Sequence, residues 1–358
     1  MAKVTADLGP VTRVGVDLAK SVFQVHGVDA SGAKIFTKKL RRSRFLEFFR
    51  GLPLCEVVME ACSTAHHWGR EIGALGHDVR LIPPAHVKPY VRRNKNDATD
   101  AAAIAEAGGR PGQRFVAVRS VESQAGLMRH RVRELLIGHR TALLNALRGH
   151  LAEIGMVAAK GVERAYELKL ALQEGTDADG VVVPEVVRSA LLPLAAQIDS
   201  LDAELARIDA EIEAAAKKDE RARLLMTIPG IGPLIASALL ATASDLGLFA
   251  SARDFAAFLG LVPRQHSSGG KERLGRISKM GDRYLRKLLV VGATSALSAA
   301  AGHRDAMRVW ATQLRRRKDA RTGFKITAVA LANKLARIVF AVLRSGKAYD
   351  DRPVAAAA

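Results

Sequence analysis

Cysteine is almost missing from the chain: Cys55 and Cys62 are the only two in 358 residues. They fit no zinc spacing and make no disulfide framework, which excludes a stapled secreted scaffold and points to a reducing cytoplasm. Long apolar runs are missing too. The longest, Leu288 to Ala301, is 14 residues with Gly, Ser and Thr among them, too short and too polar to span a bilayer. The opening MAKVTADLGP has no apolar core of a signal segment. Aromatics make up only 5%, too few for a basic helix that lies on a membrane, so no membrane partner is expected. There is no internal repeat and no low-complexity segment beyond the alanine tail. Acids are the last shortage: 36 Asp+Glu face 55 Lys+Arg, for a net charge of +19. Residues 1–118 hold 18 basic and 11 acidic side chains, residues 119–218 hold 13 and 15, and residues 219–358 hold 24 and 10. Such self-repulsion implies a polyanionic partner, and nucleic acid is the commonest one.

What is present begins with Asp17. In VTRVGVDLAKSVFQVH, Val14, Val16 and Leu18 alternate with Arg13, Gly15 and Asp17, a half-buried strand that sends Asp17 to the face opposite the valines. Val22, Gln24 and His26 continue a second run, Asp29-Ala-Ser-Gly32 turns, and Lys34 to Leu40 reads as a third strand. A helix over Ser43–Leu52, a buried parallel strand over Cys55–Ala61 ending at Glu60, a helix over Ser63–Gly76 and a strand over His77–Ile82 follow. The order β-β-β-α-β-α-β predicts a ribonuclease-H-like α/β domain. Lys88, Arg92, Arg93 and Lys95 then make a basic loop, and Asp97-Ala-Thr-Asp100 opens an alanine-rich helix.

Asp17, Glu60, Asp97 and Asp100 are the candidate reactive constellation. Adjacent strands lie about 4.8 Å apart, so carboxylates on neighbouring strand ends can share an ion. Asp97 and Asp100, three residues apart, lie on one helix face. Converging acids repel unless they bind cations, and all-oxygen ligation suits Mg²⁺ or Mn²⁺. Two such ions would stabilise both oxygens of a phosphodiester displacement. Each acid also has an ordinary role open to it: Asp97 as a helix N-cap, Asp100 as a first-turn residue favoured by the helix dipole, Glu60 as a strand end.

Arg119 to Ile154 reads as one long helix. Val187, Leu191, Leu194, Ile198, Leu201, Leu205, Ile208 and Ile212 form an a/d seam, with Pro193 expected to kink its first turns. Together they predict a coiled-coil arm that folds back on itself or pairs with another subunit. Residues 156–184 read as loop or short helix. The last part is basic and helical. Ile228-Pro-Gly-Ile-Gly232 has the helix-hairpin-helix pattern, in which Gly230 and Gly232 let backbone N–H groups approach a phosphate. An ordinary tight helical connection is the alternative. Ser267-Ser-Gly-Gly270, among Arg264, Lys271, Arg273 and Arg276, is a glycine-flexed basic loop suited to phosphate. A nucleophilic serine needs a base or strongly electrophilic surroundings, and these residues alone do not choose between Ser267 and Ser268. Tyr284 is a rival nucleophile by type, although GDRYLRKLLVV reads as amphipathic packing. Arg304, Arg308 and Arg315 to Lys318 serve backbone contact or a solvated face, and Trp68 and Trp310 read as core. The expected domains are 1–118, 119–218 and 219–358.

VGVDLAK around Asp17, VVMEA around Glu60 and NKNDATDAAAIAE around Asp97 and Asp100 resemble the three acidic blocks of the DEDD insertion-sequence transposases. Their N-terminal domain is similar to the RuvC Holliday-junction resolvase. The resemblance continues through IPGIG, FAAFLGLVPRQHSSGGKERLGRISKMGDRYLR and FKITAVALANKLARIVFAVL, covering all but residues 1–10, 156–184 and the tail. Ser63 departs from the family, which often carries Gly there. The resemblance implies a catalytic serine just before a Gly, here Ser268, that forms a 5′-phosphoserine link and exchanges strands through a junction. It also implies double-stranded donor and target DNA, a non-coding bridge RNA as guide, homodimers assembling to tetramers, and a prokaryotic cytoplasm. Two rivals remain: a structure-selective junction endonuclease using the four acids and water, and a non-enzymatic nucleic-acid scaffold.

Overall fold

The stretches of alternating valine form the strands they predict: β1 (Arg13–Asp17), β2 (Val22–Val28) and β3 (Lys34–Arg41). Asp29 closes the β2–β3 turn, its Oδ1 accepting from the Ser31 hydroxyl at 2.7 Å and from the Ala33 and Ser31 amides at 2.9 and 2.8 Å, and these bonds, the hydroxyl's first, hold its carboxyl below the usual range. A 3₁₀ turn at Arg42–Arg44 leads into α1 (Phe45–Arg50), followed by β4 (Glu56–Glu60), α2 (Ala65–Gly73), β5 (Asp78–Ile82), the single turn α3 (Pro84–Val87) and α4 (Asp97–Gly108). The five strands stand in the order β3-β2-β1-β4-β5. β1 pairs antiparallel with β2 and parallel with β4, and β4 pairs parallel with β5. The computed structural model describes residues 11–91, 96–243, 246–300, 305–319 and 322–350. Arg92, Arg93, Lys95 and Arg304 lie outside the described residues. The chain divides into two units, one of Met1–Gln124 with Ser244–Ala250 and one of Ala125–Ala243 with Ser251–Ala358.

The two faces of the sheet are packed differently. Val14, Val16, Val57 and Met59 face a core with Phe23, Phe45, Phe49 and Trp68. Phe45 stands edge-on to Phe23 at 4.5 Å and to Trp68 at 5.0 Å, so the scarce aromatics are spent on one core. Each such pair contributes about 1 kcal/mol beyond its buried area. Trp68 is therefore the core residue its sequence context predicts. On the other face α4 lies directly on the strands. A Cβ at Gly15 would run into the Ala101 carbonyl and the Ala105 backbone, and one at Gly108 into the Val58 side chain. The alanines of α4 are what let the helix come so close.

In the second unit most of α5 (Val121–Ala152) pairs with α7 (Glu185–Lys218). Arg133 bonds Asp209, Arg140 bonds Asp202 at 2.8 Å, and Arg129 meets Glu211 at 3.5 Å. Partners rise along one helix as they fall along the other, so the pair is antiparallel and folds back within the chain. Leu191, Ile198, Leu205, Ile208 and Ile212 of the predicted seam are buried. The 156–184 segment holds a third helix, α6 (Val162–Glu174), whose Leu168 and Leu172 join Leu147 and Leu191 in one cluster. α7 continues through Pro193.

Then come α8 (Glu220–Met226), α9 (Pro233–Thr242), α10 (Ala252–Phe258), the hairpin β6 (Pro263–Gln265) and β7 (Leu274–Ile277), α11 (Arg283–Ser298), α12 (Ala306–Arg316) and α13 (Gly323–Ser345). Among the described residues α13 alone is long and apolar enough to cross a membrane, and half of it is buried within its unit, as in a core helix.

Candidate functional site

Register places the acids. Val16 of β1 lies opposite Met59 of β4, so Asp17 and Glu60 follow one residue further on as neighbouring ends of parallel strands. Side chains two residues apart share a face. Asp17 therefore projects on the side of Gly15, and Glu60 on the side of Val58, both towards α4. The helix crosses Gly15 with Ala101 and Ala105, then reaches Val58 with Gly108 and Arg13 with Gly109. It runs opposite to β1, and its N-terminal turn lies at the strand end that carries Asp17. Asp100 belongs to that turn and is partly buried, its Oδ1 closed to solvent. Asp97 is exposed. Asn96, rather than Asp97, caps the helix: its side chain accepts from the Thr99 amide at 3.0 Å while the Thr99 hydroxyl reciprocates. Asp97 is thereby left outside the capping role its sequence position offered.

Among the described residues, no three His, Cys, Asp or Glu side chains come close enough to hold a metal ion as they stand. The backbone brings Asp17, Glu60 and Asp100 to one edge without drawing their carboxylates into a finished cage. The donor chemistry still fits a hard cation, because all three offer only oxygen.

One residue at this edge was not picked out from sequence. Gln24 of β2 lies directly opposite Asp17 and is 3% exposed. Its Oε1 is buried with no hydrogen-bond partner among the described residues. A stranded amide oxygen costs about 1–3 kcal/mol and calls for an explanation. Its signal, a polar residue inside an apolar alternation, is visible only once β2 is set in register with β1.

The second unit carries the serine. Ser268-Gly269-Gly270-Lys271 closes the β6–β7 hairpin, with the Lys271 amide donating to the Ser268 carbonyl at 3.1 Å. Gly269 and Gly270 have φ of +56° and +75°, the pair of left-handed residues that a type I′ turn needs. Ser267 Oγ accepts from the Arg273 amide and the Gln265 side chain, both at 3.1 Å, and is committed to holding the hairpin. The Ser268 hydroxyl makes no such bond among the described residues. Arg264, Lys271, Arg273 and Arg276 are all exposed on the hairpin, and Lys88 is exposed in the first unit.

The Ile228–Gly232 turn joins α8 to α9, and its two glycines differ. Gly230, at φ +88°, lies against α11, where a Cβ would strike the Gly292 carbonyl. Gly232, which starts α9, would meet nothing. Arg308 lines the same cleft, paired with Asp305 at 3.1 Å, and its Nε is buried without a partner among the described residues. Tyr284 is not poised as a nucleophile. Its hydroxyl bonds His130 Nδ1 at 3.1 Å, His130 Nε2 meets Ser237 Oγ at 3.1 Å, and burial pushes the phenol up to about 12. His130 is 1% exposed, and burial, then Arg133 and Arg129, push it down to about 4. The same effects, with Arg119 and Arg70, hold His66 near 4.

Comparison with known proteins gives two family matches. A model described as "Transposase IS116/IS110/IS902 family" covers residues 222–308, and one described as "Transposase" covers residues 14–156. A "Probable family 20 transposase" of Pseudomonas aeruginosa is 46% identical over 340 residues, 95% of this chain and 98% of that protein. The "Transposase for insertion sequence element IS1111A" of Coxiella burnetii is 40% identical over 336 residues, 94% of this chain and 90% of that protein. The "Pilin gene-inverting protein" of Moraxella bovis is 23% identical over 357 residues, 95% of this chain and 98% of that protein.

Proposed function

The chain belongs to the IS116/IS110/IS902 family of transposases, and from that premise we propose that it is the site-specific DNA recombinase of an insertion sequence, cutting and exchanging strands with Ser268 as nucleophile. The observation that carries the reading is the register that sets Asp17 beside Glu60 at the strand ends facing α4. The strand order β3-β2-β1-β4-β5 supports a ribonuclease-H-like, RuvC-like domain over residues 1–118. The antiparallel α5–α7 pair supports a coiled-coil arm over 119–218, leaving a helical domain over 219–358. The exposed stripe Val121, Met128, Val132 and Leu135 on α5, at heptad spacing, is a face by which a second copy could pair. The gene-inverting name of the Moraxella bovis relative favours recombination over simple cutting.

In the proposed reaction the Ser268 oxygen attacks the scissile phosphorus. The serine hydroxyl gives up its proton, the bond to the 3′ oxygen breaks, that oxygen takes up a proton in turn and leaves as a 3′-hydroxyl, and the 5′-phosphate stays on Ser268. Attack by another strand's 3′-hydroxyl reverses the step and releases the serine. Ser267 holds the hairpin in shape, and Arg264, Lys271, Arg273 and Arg276 offset phosphate charge. Asp17, Glu60 and Asp100, with Asp97 beside them, would hold Mg²⁺ or Mn²⁺, which would stabilise charge on the reacting oxygens. Gln24 would add a neutral oxygen at the same edge. Gly232 and Lys88 would meet the DNA backbone, as would Arg92, Arg93 and Lys95. A bridge RNA encoded by the element would guide a dimer that assembles to a tetramer, with Ser268 of one subunit serving the acidic edge of another.

The test is Ser268→Ala on donor and target DNA, with products resolved under denaturing conditions. Loss of all strand transfer and of the protein–DNA adduct is expected. A water-using endonuclease would go on cutting, and that result would overturn the serine mechanism.

A further inference from the structure

α13 has two unlike sides. One side, with Leu331, Leu335 and Val339, is fully buried, whereas Ile326 is 47% exposed and, with Val329, Ala330 and Ile338, floors an open groove of about 1220 Å³. The walls are the β6–β7 hairpin, through Pro263, Gly275 and Ile277, and Trp310 of α12. Five cations rim it: Arg276, Lys279, Lys325, Lys334 and Arg337. No acid lines the groove, and none of the five forms an ion pair among the described residues. Lys334 instead sits over the Trp310 ring at 4.5 Å, and burial together with the Arg337 charge pulls its ammonium below the usual range.

Lys279 is held there at some cost. It is the one non-glycine residue with positive φ among the described residues, at +56°. Its amide is tied to the Gly260 carbonyl at 3.1 Å, and Gly260 and Gly281 have no room for a side chain where hairpin and α10 cross. Such conformations persist where the surroundings impose them. The same crossing anchors the hairpin that presents Ser268.

The occupant follows from this chemistry. Cations without acids require an anion. An apolar floor requires an anion that brings broad apolar surface, which duplex DNA does not, because stacking buries its base faces and leaves only base edges in the grooves. Unpaired nucleotides supply both: phosphates for the rim and base faces for the floor and Trp310. The one neutral polar side chain in the lining, Asn333, already donates to the Leu261 carbonyl at 2.9 Å. The rim cations and Asn333 Oδ1 can meet a ribose 2′-hydroxyl as well, so the choice of DNA over RNA comes from the reaction, which unpairs DNA at the site of cleavage. We propose that the groove between α13 and the Ser268 hairpin binds a single strand of DNA, unpaired nucleotides next to the site of cleavage. The assignment rests on the recombinase reading, because strand exchange is what makes such unpaired DNA.

The test uses the full chain and intrinsic fluorescence, since Trp68 and Trp310 are the only tryptophans. Oligothymidylate of about 12 nucleotides, long enough to fill such a groove, should bind and change the emission, and the change should vanish in Trp310→Phe. The same strand as duplex should bind without that change, and oligouridylate should give less than half of it. Ile326→Glu, at an exposed position, should weaken the single strand about tenfold while duplex affinity stays within about twofold. The groove assignment is overturned by a silent Trp310 with oligothymidylate, by an equal response to duplex, oligouridylate or an acidic peptide, or by equal weakening of both DNA forms in Ile326→Glu. In each of those cases duplex binding still stands for the recombinase reading. Loss of all DNA binding by the wild-type chain would overturn both.

Discussion

On the central strand of the sheet, Val14 and Val16 are fully buried and the backbone of α4 rests on Gly15. At the hairpin, every residue from Arg264 to Gly275 is exposed, and a two-glycine turn holds the tip. Acids sit where the frame is stiffest, and the serine sits where the frame is thinnest. Carboxylates that share a cation must be kept close against their own repulsion, which takes a rigid support. A serine that must reach a phosphate on a large substrate gains from a narrow, solvated projection.

The contrast can be broken most sharply by chemistry. Asp17→Asn and Ser268→Ala should each lower strand transfer by about a thousandfold or more. Ser268→Ala should leave thermal unfolding unchanged, because the residue is exposed and its hydroxyl makes no hydrogen bond among the described residues; a clear loss of stability would mean the serine is structural. Gly15→Ala comes next. It should cost about 3 kcal/mol in denaturant unfolding, since α4 must lift from β1. The comparable change at the hairpin, Gly269→Ala, should cost only about 1 kcal/mol, the left-handed backbone being its sole burden. Equal losses at the two glycines would erase the difference between a stiff frame and a thin one.

Acidification tests the two units separately. His130 and His66 are near 4 when folded against an ordinary 6.5, so both are neutral in the native chain. The unfolded chain takes up their protons first. Stability is complete above about pH 6.5 and falls as the pH drops towards 4. In His130→Asn the fall in the second unit should be shallower, as followed by denaturant midpoints across that range. The smallest effect belongs to Ser267→Ala. Losing its two hydrogen bonds should cost about 1 kcal/mol and slow strand transfer less than tenfold, which separates a supporting serine from a reacting one.

Much of the acidic edge was legible because strand period and the position of Gly15 carry it. Alternation put Asp17 opposite the valines, and DATD after a proline-closed strand put Asp100 in a first turn. Gln24 was not legible, since its meaning lies in a partner seven positions away across the β1–β2 turn. The α13 groove was hidden for a similar reason. Its cations are spread from position 276 to 337 and converge only when the hairpin folds over the helix. Trp310, read as core from sequence, lines that groove. Gly230 was read for phosphate approach, yet its missing side chain is already required by the crossing with Gly292, a contact no local pattern announces.

The bare meeting of α4 with β1 has one more consequence. Between Ala101 and Gly15 there is no side chain to lengthen, shorten or swap, so the gap separating the strand-borne acid from the helix-borne one is set by the thickness of two main chains. Such a ruler has no adjustable part. A change in the spacing of the two acids would have to come from trading aspartate for glutamate at the tips, because the mounting itself offers no tolerance.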